Sequence, residues 1–173
     1  MLKPTHAIPS WLESFPLLLV RLAAGALFLW SAWNKLFPAG QFGYGPLPGM
    51  HYFAQAMRQF NLLPEAYTPL AVYAVPWMEV VVGVCLVLGF WTRAAGLLGI
   101  GLLATFTGAV AWTVWYQKAG VPIECGCFGR FKLFCEGVTW CKVGENIALI
   151  ALFTIPARRG GGRLALTPEY VKV

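Results

Sequence analysis

Charge is what this chain has least of. Its 13 Lys and Arg and 7 Asp and Glu make up 12% of the 173 residues, against 58% hydrophobic ones, and mean hydropathy is +0.65. A soluble domain carries about a quarter charged residues, so an ordinary water-soluble fold is excluded. Histidine is scarcer still, and neither His6 nor His51 lies near the cysteines, which removes nitrogen ligands from any metal reading there. A signal-peptide pattern is missing too. The first apolar stretch begins after fourteen residues, outlasts an h-region, and runs into Trp33-Asn34-Lys35 without a small-residue cleavage site. That segment is expected to remain in the mature protein. The net charge of +6 needs no nucleic-acid partner, because lipid headgroups and topology account for it.

What is present is hydrocarbon-length apolar sequence. Residues 15–36 contain only Arg21 and Lys35 as charges, residues 70–91 only Glu79, and residues 94–116 none. Each can cross about 30 Å as a helix. Residues 138–156 carry Lys142 and Glu145 but end in an almost wholly apolar run, Ile147 to Ile155. The expected fold is all-α: a polytopic membrane protein built as a four-transmembrane-helix bundle. An N-terminal segment (1–14) precedes the membrane domain (15–156), and a basic tail (157–173) follows it. Trp11, Trp33, Trp91, Trp112, Trp115 and Trp140 fall near the expected helix ends, as interface-belt residues do.

Only Thr92 and Arg93 separate the second and third spans, which predicts a tight antiparallel hairpin. Four spans then place both termini and this turn on one side, and the two long connections on the other. The first long connection opens with Gly40, Gly43, Gly45, Pro46, Pro48 and Gly49, which break regular structure. Beyond it, Phe53, Ala56, Met57 and Phe60 recur at helical spacing among Gln55, Arg58 and Gln59, predicting a short amphipathic helix on the bilayer or capping the bundle. Lys and Arg divide evenly between the two sides, so their number alone does not orient the chain. The Arg158-Arg159-Gly160-Gly161-Gly162-Arg163 cluster after the last span favours cytoplasmic termini. The expected location is the plasma (inner) membrane, with the second long connection extracytoplasmic.

That connection carries the chemistry. Cys125-Gly126-Cys127 places two thiols one residue apart, and Cys135 and Cys141 follow closely. In an oxidising compartment such density points to disulfides. A bond between Cys125 and Cys127 would close a very small ring and exchange readily, while bridges from these to Cys135 and Cys141 would form an inert staple. The ligand spacing of one, seven and five does not match the usual zinc pairs, and no metal site is expected. Cys85, amid Val81, Val82, Leu86 and Val87, reads as an apolar filler.

Intramembrane charge forms a second constellation. Glu79 and Glu145 fall in the outer to middle part of the bundle, with Lys35 and Asn34 near the outer end of the first span. Such groups face the bundle and find partners. A polar pocket of Lys35, Glu79, Glu145 and Asn146 below the cysteine loop is one reading, and a set of ties between helices is the other. Arg21, near the opposite end, is expected to snorkel to headgroups or to join a buried pair.

Arg21-Leu22, Gly25 and Phe28 to Lys35-Leu36, then Pro76, Glu79, Gly83, Gly89 and Thr92-Arg93, resemble the DoxX-like four-helix membrane proteins. Cys125-Gly126-Cys127-Phe128-Gly129 followed by Glu145-Asn146 is similar to the MauE branch of that group, in which the residue before the asparagine is often basic. The resemblance implies membrane-embedded thiol-disulfide chemistry, electron transfer to or from quinone, or maturation of disulfide-rich extracytoplasmic proteins. Cys125 and Cys127 are then the reactive pair, and Cys135 and Cys141, which exceed the family pattern, are either a second, electron-relaying catalytic pair or a private staple. Quinone is the cofactor it implies, in the pocket of Lys35, Glu79, Glu145 and Asn146. The partners it implies, besides lipid, are a thioredoxin-like or disulfide-containing extracytoplasmic protein, or subunits of a membrane complex. The rival expectation is a non-catalytic accessory subunit or assembly factor with permanently oxidised cysteines, its Gly96, Gly99, Gly101 and Gly108 packing against other subunits.

Overall fold

Among the residues that the computed structural model describes (10–37, 49–60, 64–116, 135, 138–162 and 164–166), five α-helices and one 3-10 turn account for nearly everything, and no strand occurs. The helices are α1 (Ser10–Leu36), α2 (Gly49–Phe60), α3 (Thr68–Leu88), α4 (Thr92–Tyr116) and α5 (Trp140–Arg159), with the 3-10 turn Glu65–Tyr67 leading into α3. The chain is an all-α, multi-pass membrane protein. Ser14–Leu36, Glu65–Leu88 and Thr92–Tyr116 are long and apolar enough to cross a bilayer. The 20-residue α5 is not among them, because Lys142, Glu145, Arg158 and Arg159 leave its apolar stretch short.

Helices α1, α3, α4 and α5 pack in that cyclic order, each against the next, with α5 returning to α1. Contacts along their lengths make every neighbouring pair antiparallel: Gly25 meets Gly83 and Val87, and Gly96 and Gly99 meet Ala157 and Phe153. The ends of α1 and α4 and the starts of α3 and α5 therefore share one end of the bundle. Small residues permit the approach. A Cβ at Gly83 would lie 2.7 Å from Leu29 Cγ, and one at Gly99 would lie 2.5 Å from the Phe153 ring. Gly101 and Gly108 do not join this packing, and a Cβ at either would have nothing within 4 Å. The interior is filled by Phe28, Val82, Leu86, Leu103, Val110, Leu149 and Phe153, with the Phe28 and Phe153 rings 4.7 Å apart.

The hairpin turn lies at Gly89–Trp91, three residues earlier than sequence spacing suggests, and Thr92 already begins α4. Gly89 adopts φ 74°, which a residue without Cβ accepts freely, and the Phe90 N–H returns to the Cys85 carbonyl at 2.8 Å. This wrapped end stops α3 at Leu88. The expected amphipathic helix is present as α2: Phe53, Ala56 and Phe60 are buried, while His51, Gln55, Arg58 and Gln59 face outward. It sits against α1, α3 and α4. Trp33, Trp91, Trp112, Trp115 and Trp140 are all exposed near helix ends, where belt residues belong.

Candidate functional site

The end of the bundle bearing α2 concentrates the polar groups. Lys35, one residue before the end of α1, is fully buried and ion-paired with Glu79 of α3, and Ser31, one turn earlier, donates from Oγ to Glu79 Oε2 at 3.1 Å. The i, i+4 spacing of Ser31 and Lys35 puts both on the helix face that meets α3. The ammonium also lies 5.0 Å from the centroids of two rings, Phe53 of α2 and Phe106 of α4. Four helices thus converge on one side chain. A charge in hydrocarbon persists only when paired and hydrogen-bonded, and this arrangement supplies both conditions together with cation-π contact.

Helix α5 contributes a separate group. Lys142 Nζ donates to Glu145 Oε1 at 2.9 Å, an i, i+3 pair with both side chains buried. Glu79 is therefore partnered by Lys35 and Ser31, and Glu145 by Lys142. Of the four residues of the expected pocket, Lys35 and Glu79 pair with each other, and Glu145 pairs with Lys142 of its own helix. The signal for the second pair is present in the spacing, since residues three apart on a helix are neighbours. Asn146 is wholly buried, and its Oδ1 and Nδ2, like Glu145 Oε2, have no hydrogen-bond partner among the described residues.

Above α5, Cys135 and Cys141 form a disulfide, with Cα atoms 5.8 Å apart. Cys141 is the second residue of α5 and is exposed, whereas Cys135 is buried. The bridge fastens the approaching chain to the helix that carries Lys142, Glu145 and Asn146. Cys125 and Cys127 lie outside the described residues. Cys85 is the free cysteine among the described residues, partly buried against the core. No group of three metal-ligating side chains occurs among those residues.

At the opposite end Arg21 departs from both expectations for it. It is buried rather than snorkelling, and its partners are carbonyls rather than a carboxylate. Nε donates to Leu86 O at 3.0 Å, Nη2 to Val87 O at 3.3 Å, and Nη1 to Gly161 O at 2.6 Å and Leu164 O at 3.5 Å. The last carbonyls of a helix lack intrahelical partners and carry partial negative charge, so a guanidinium suits them. Arg21 closes the end of α3 and holds the segment after α5 against it, helped by Leu166 N–H to Leu88 O at 3.3 Å.

The family model described as "Methylamine utilisation protein MauE" matches residues 13–159. Similar curated proteins are the methylamine utilization protein MauE of Paracoccus denitrificans, 29% identical over 133 residues, and that of Paracoccus versutus, 30% identical over 121. The alignments cover 77% and 67% of this chain. A third, from Methylorubrum extorquens, is 35% identical over 97 residues, which is 56% of this chain and 50% of that protein. The chain spans 63% of the length of each of the two Paracoccus relatives. No solved structure matches it.

Proposed function

The chain belongs to the MauE family of methylamine utilisation proteins, and from that membership we propose a membrane-embedded accessory protein that performs thiol-disulfide exchange for a disulfide-containing extracytoplasmic partner of the methylamine system. The observation that carries this reading is the Cys135–Cys141 bridge, which sits at the polar end of the bundle with Cys141 exposed. In this reading α5 is the fourth span, both termini are cytoplasmic, and the bridge faces the oxidising side. In the same reading the membrane unit covers 15–156, between a leading segment (1–14) and a basic tail (157–173).

Cys125 and Cys127 are the exchanging pair. A thiolate of the partner attacks one sulfur of a Cys125–Cys127 bond and expels the other as thiolate, giving a mixed disulfide. The partner's second thiolate then attacks its own sulfur in that bond and releases this chain. Two electrons and two protons have passed from the partner, whose dithiol is now a disulfide, to Cys125 and Cys127. The same two-step exchange with Cys135–Cys141 restores the first pair. A thioredoxin-like protein is a partner of matching chemistry.

Of the four residues expected to hold quinone, Lys35 and Glu79 satisfy each other under two aromatic rings and offer little to a ligand. Glu145 Oε2 and the Asn146 amide fit better, because they are buried polar atoms without partners among the described residues and suit a carbonyl or hydroxyl. A quinone held there would supply a two-electron, two-proton acceptor.

The accessory role with permanent disulfides is the second reading, and the burial of Cys135 favours it, since a buried sulfur resists exchange. Replacement separates the two. If exchange operates, Cys125→Ser and Cys127→Ser variants fail to restore methylamine-dependent growth to a strain lacking its MauE, and one of them accumulates a mixed disulfide. Full growth with either variant leaves the structural role.

A further inference from the structure

Helix α2 and the start of α3 enclose an open groove of about 570 Å³ that none of the preceding chemistry uses. Its size is that of a small-ligand site. Arg58, His51 and Gln55 line it from α2, and Val72 and Tyr73 line it from α3, with Met50 completing the apolar part. No carboxylate lines it among the described residues. Glu65, the closest acid in sequence, lies exposed in the turn before α3 and outside the lining. One wall is thus cationic and polar, and the other apolar.

The apolar wall does not stop at the groove. Leu70, Tyr73 and Trp77 follow one another at helical spacing down α3 and are 68%, 59% and 58% exposed. They belong to a segment that crosses the bilayer, so hydrocarbon chains must cover them. The groove stands at the head of this stripe, at the level where α3 emerges and the amphipathic α2 lies. A molecule filling both features needs an anionic or strongly polar head for Arg58 and a hydrocarbon tail for the Tyr73 and Trp77 face.

We propose that this groove is a binding site for one anionic phospholipid, its phosphate against Arg58 and His51 and an acyl chain along Leu70, Tyr73 and Trp77. Guanidinium is suited to phosphate because its fork presents parallel donors. An anionic lipid brings the phosphate and the chain together, whereas free phosphate or an acidic peptide would satisfy only the polar wall. Lipid bound here braces α2 against α3, and α2 in turn supplies Phe53 to the Lys35 pair.

The test is lipid retention by the full chain. Protein in nanodiscs of equal phosphatidylglycerol and phosphatidylcholine is extracted into mild detergent and examined by native mass spectrometry. Retention of one phosphatidylglycerol per chain, preferred about fivefold or more over phosphatidylcholine, is expected from one or more basic contacts of ordinary strength. Arg58→Gln removes that preference, while Arg159→Gln, exposed at the end of α5, leaves it. Tyr73→Ala lowers the retained lipid through the tail and so tests the site independently of Arg58. Glycerol phosphate or an acidic peptide displacing the lipid at micromolar concentration would show a site for a soluble anion and overturn the proposal. Equal retention of both lipids, or equal loss in the Arg58 and Arg159 variants, would overturn it as well.

Discussion

The Lys35 ammonium meets the Glu79 carboxylate beneath the rings of Phe53 and Phe106, so one ion pair touches four of the five helices. Removing either partner strands the other charge in a low-dielectric interior. Lys35→Met and Glu79→Gln are each expected to cost about 3–5 kcal/mol. The double variant Lys35→Met/Glu79→Gln is expected to recover much of that loss. Reversible unfolding in detergent, arranged as a double-mutant cycle, measures the coupling, and additive losses would refute it.

Arg21 is expected to matter through the far end of the chain. Arg21→Gln gives up charge-assisted bonds to the α3 carbonyls and to Gly161 and Leu164, at about 1.5–3 kcal/mol. The segment 160–166 should then be cut by protease faster than in the parent protein. Unchanged cleavage would mean that the clasp does not hold that segment.

Two nearby glycines on α4 should behave oppositely. Gly99→Val drives side-chain atoms into the Phe153 ring and is expected to cost about 1–3 kcal/mol. Gly101→Ala meets nothing and is expected to be neutral, or to stabilise the helix by up to about 1 kcal/mol. Thermal unfolding of the two variants distinguishes a packed face from an open one.

Topology is open to direct labelling. In a Cys85→Ser background, reduced intact cells should take up a membrane-impermeant maleimide at Cys141. Protection until the membrane is opened would place the bridge in the cytoplasm and remove the oxidising compartment that the exchange needs.

Composition and period are enough to read the helices, because hydrocarbon-length runs and the Phe53, Ala56, Phe60 stripe state their own surroundings. Glu79 is legible as a buried, partnered group for the same reason: a charge inside an apolar run must find a partner, and Lys35 is the cation within reach. Arg21 is not legible. Its acceptors are backbone carbonyls, which every residue possesses, so no letter of the sequence marks them. The Lys142–Glu145 pair is hidden in another way. Lys142 and Glu145 Oε1 meet within one helix turn, and a search for partners between helices passes over so local a pair. Gly96, Gly99, Gly101 and Gly108 look alike in sequence, yet only the two that face α5 are used in packing.

The bond from Arg21 to Gly161 joins positions 140 residues apart. During synthesis, then, the first helix leaves the ribosome with a guanidinium whose carbonyl partners do not yet exist. Leu86 and Val87 arrive only with α3, and Gly161 only after α5. Until they arrive, the α1 guanidinium must be met by water or headgroups at the membrane surface. The end of α3 supplies two of its acceptors, and the segment after α5 supplies the others. A chain truncated before residue 161 should therefore leave Arg21 Nη1 without its Gly161 acceptor.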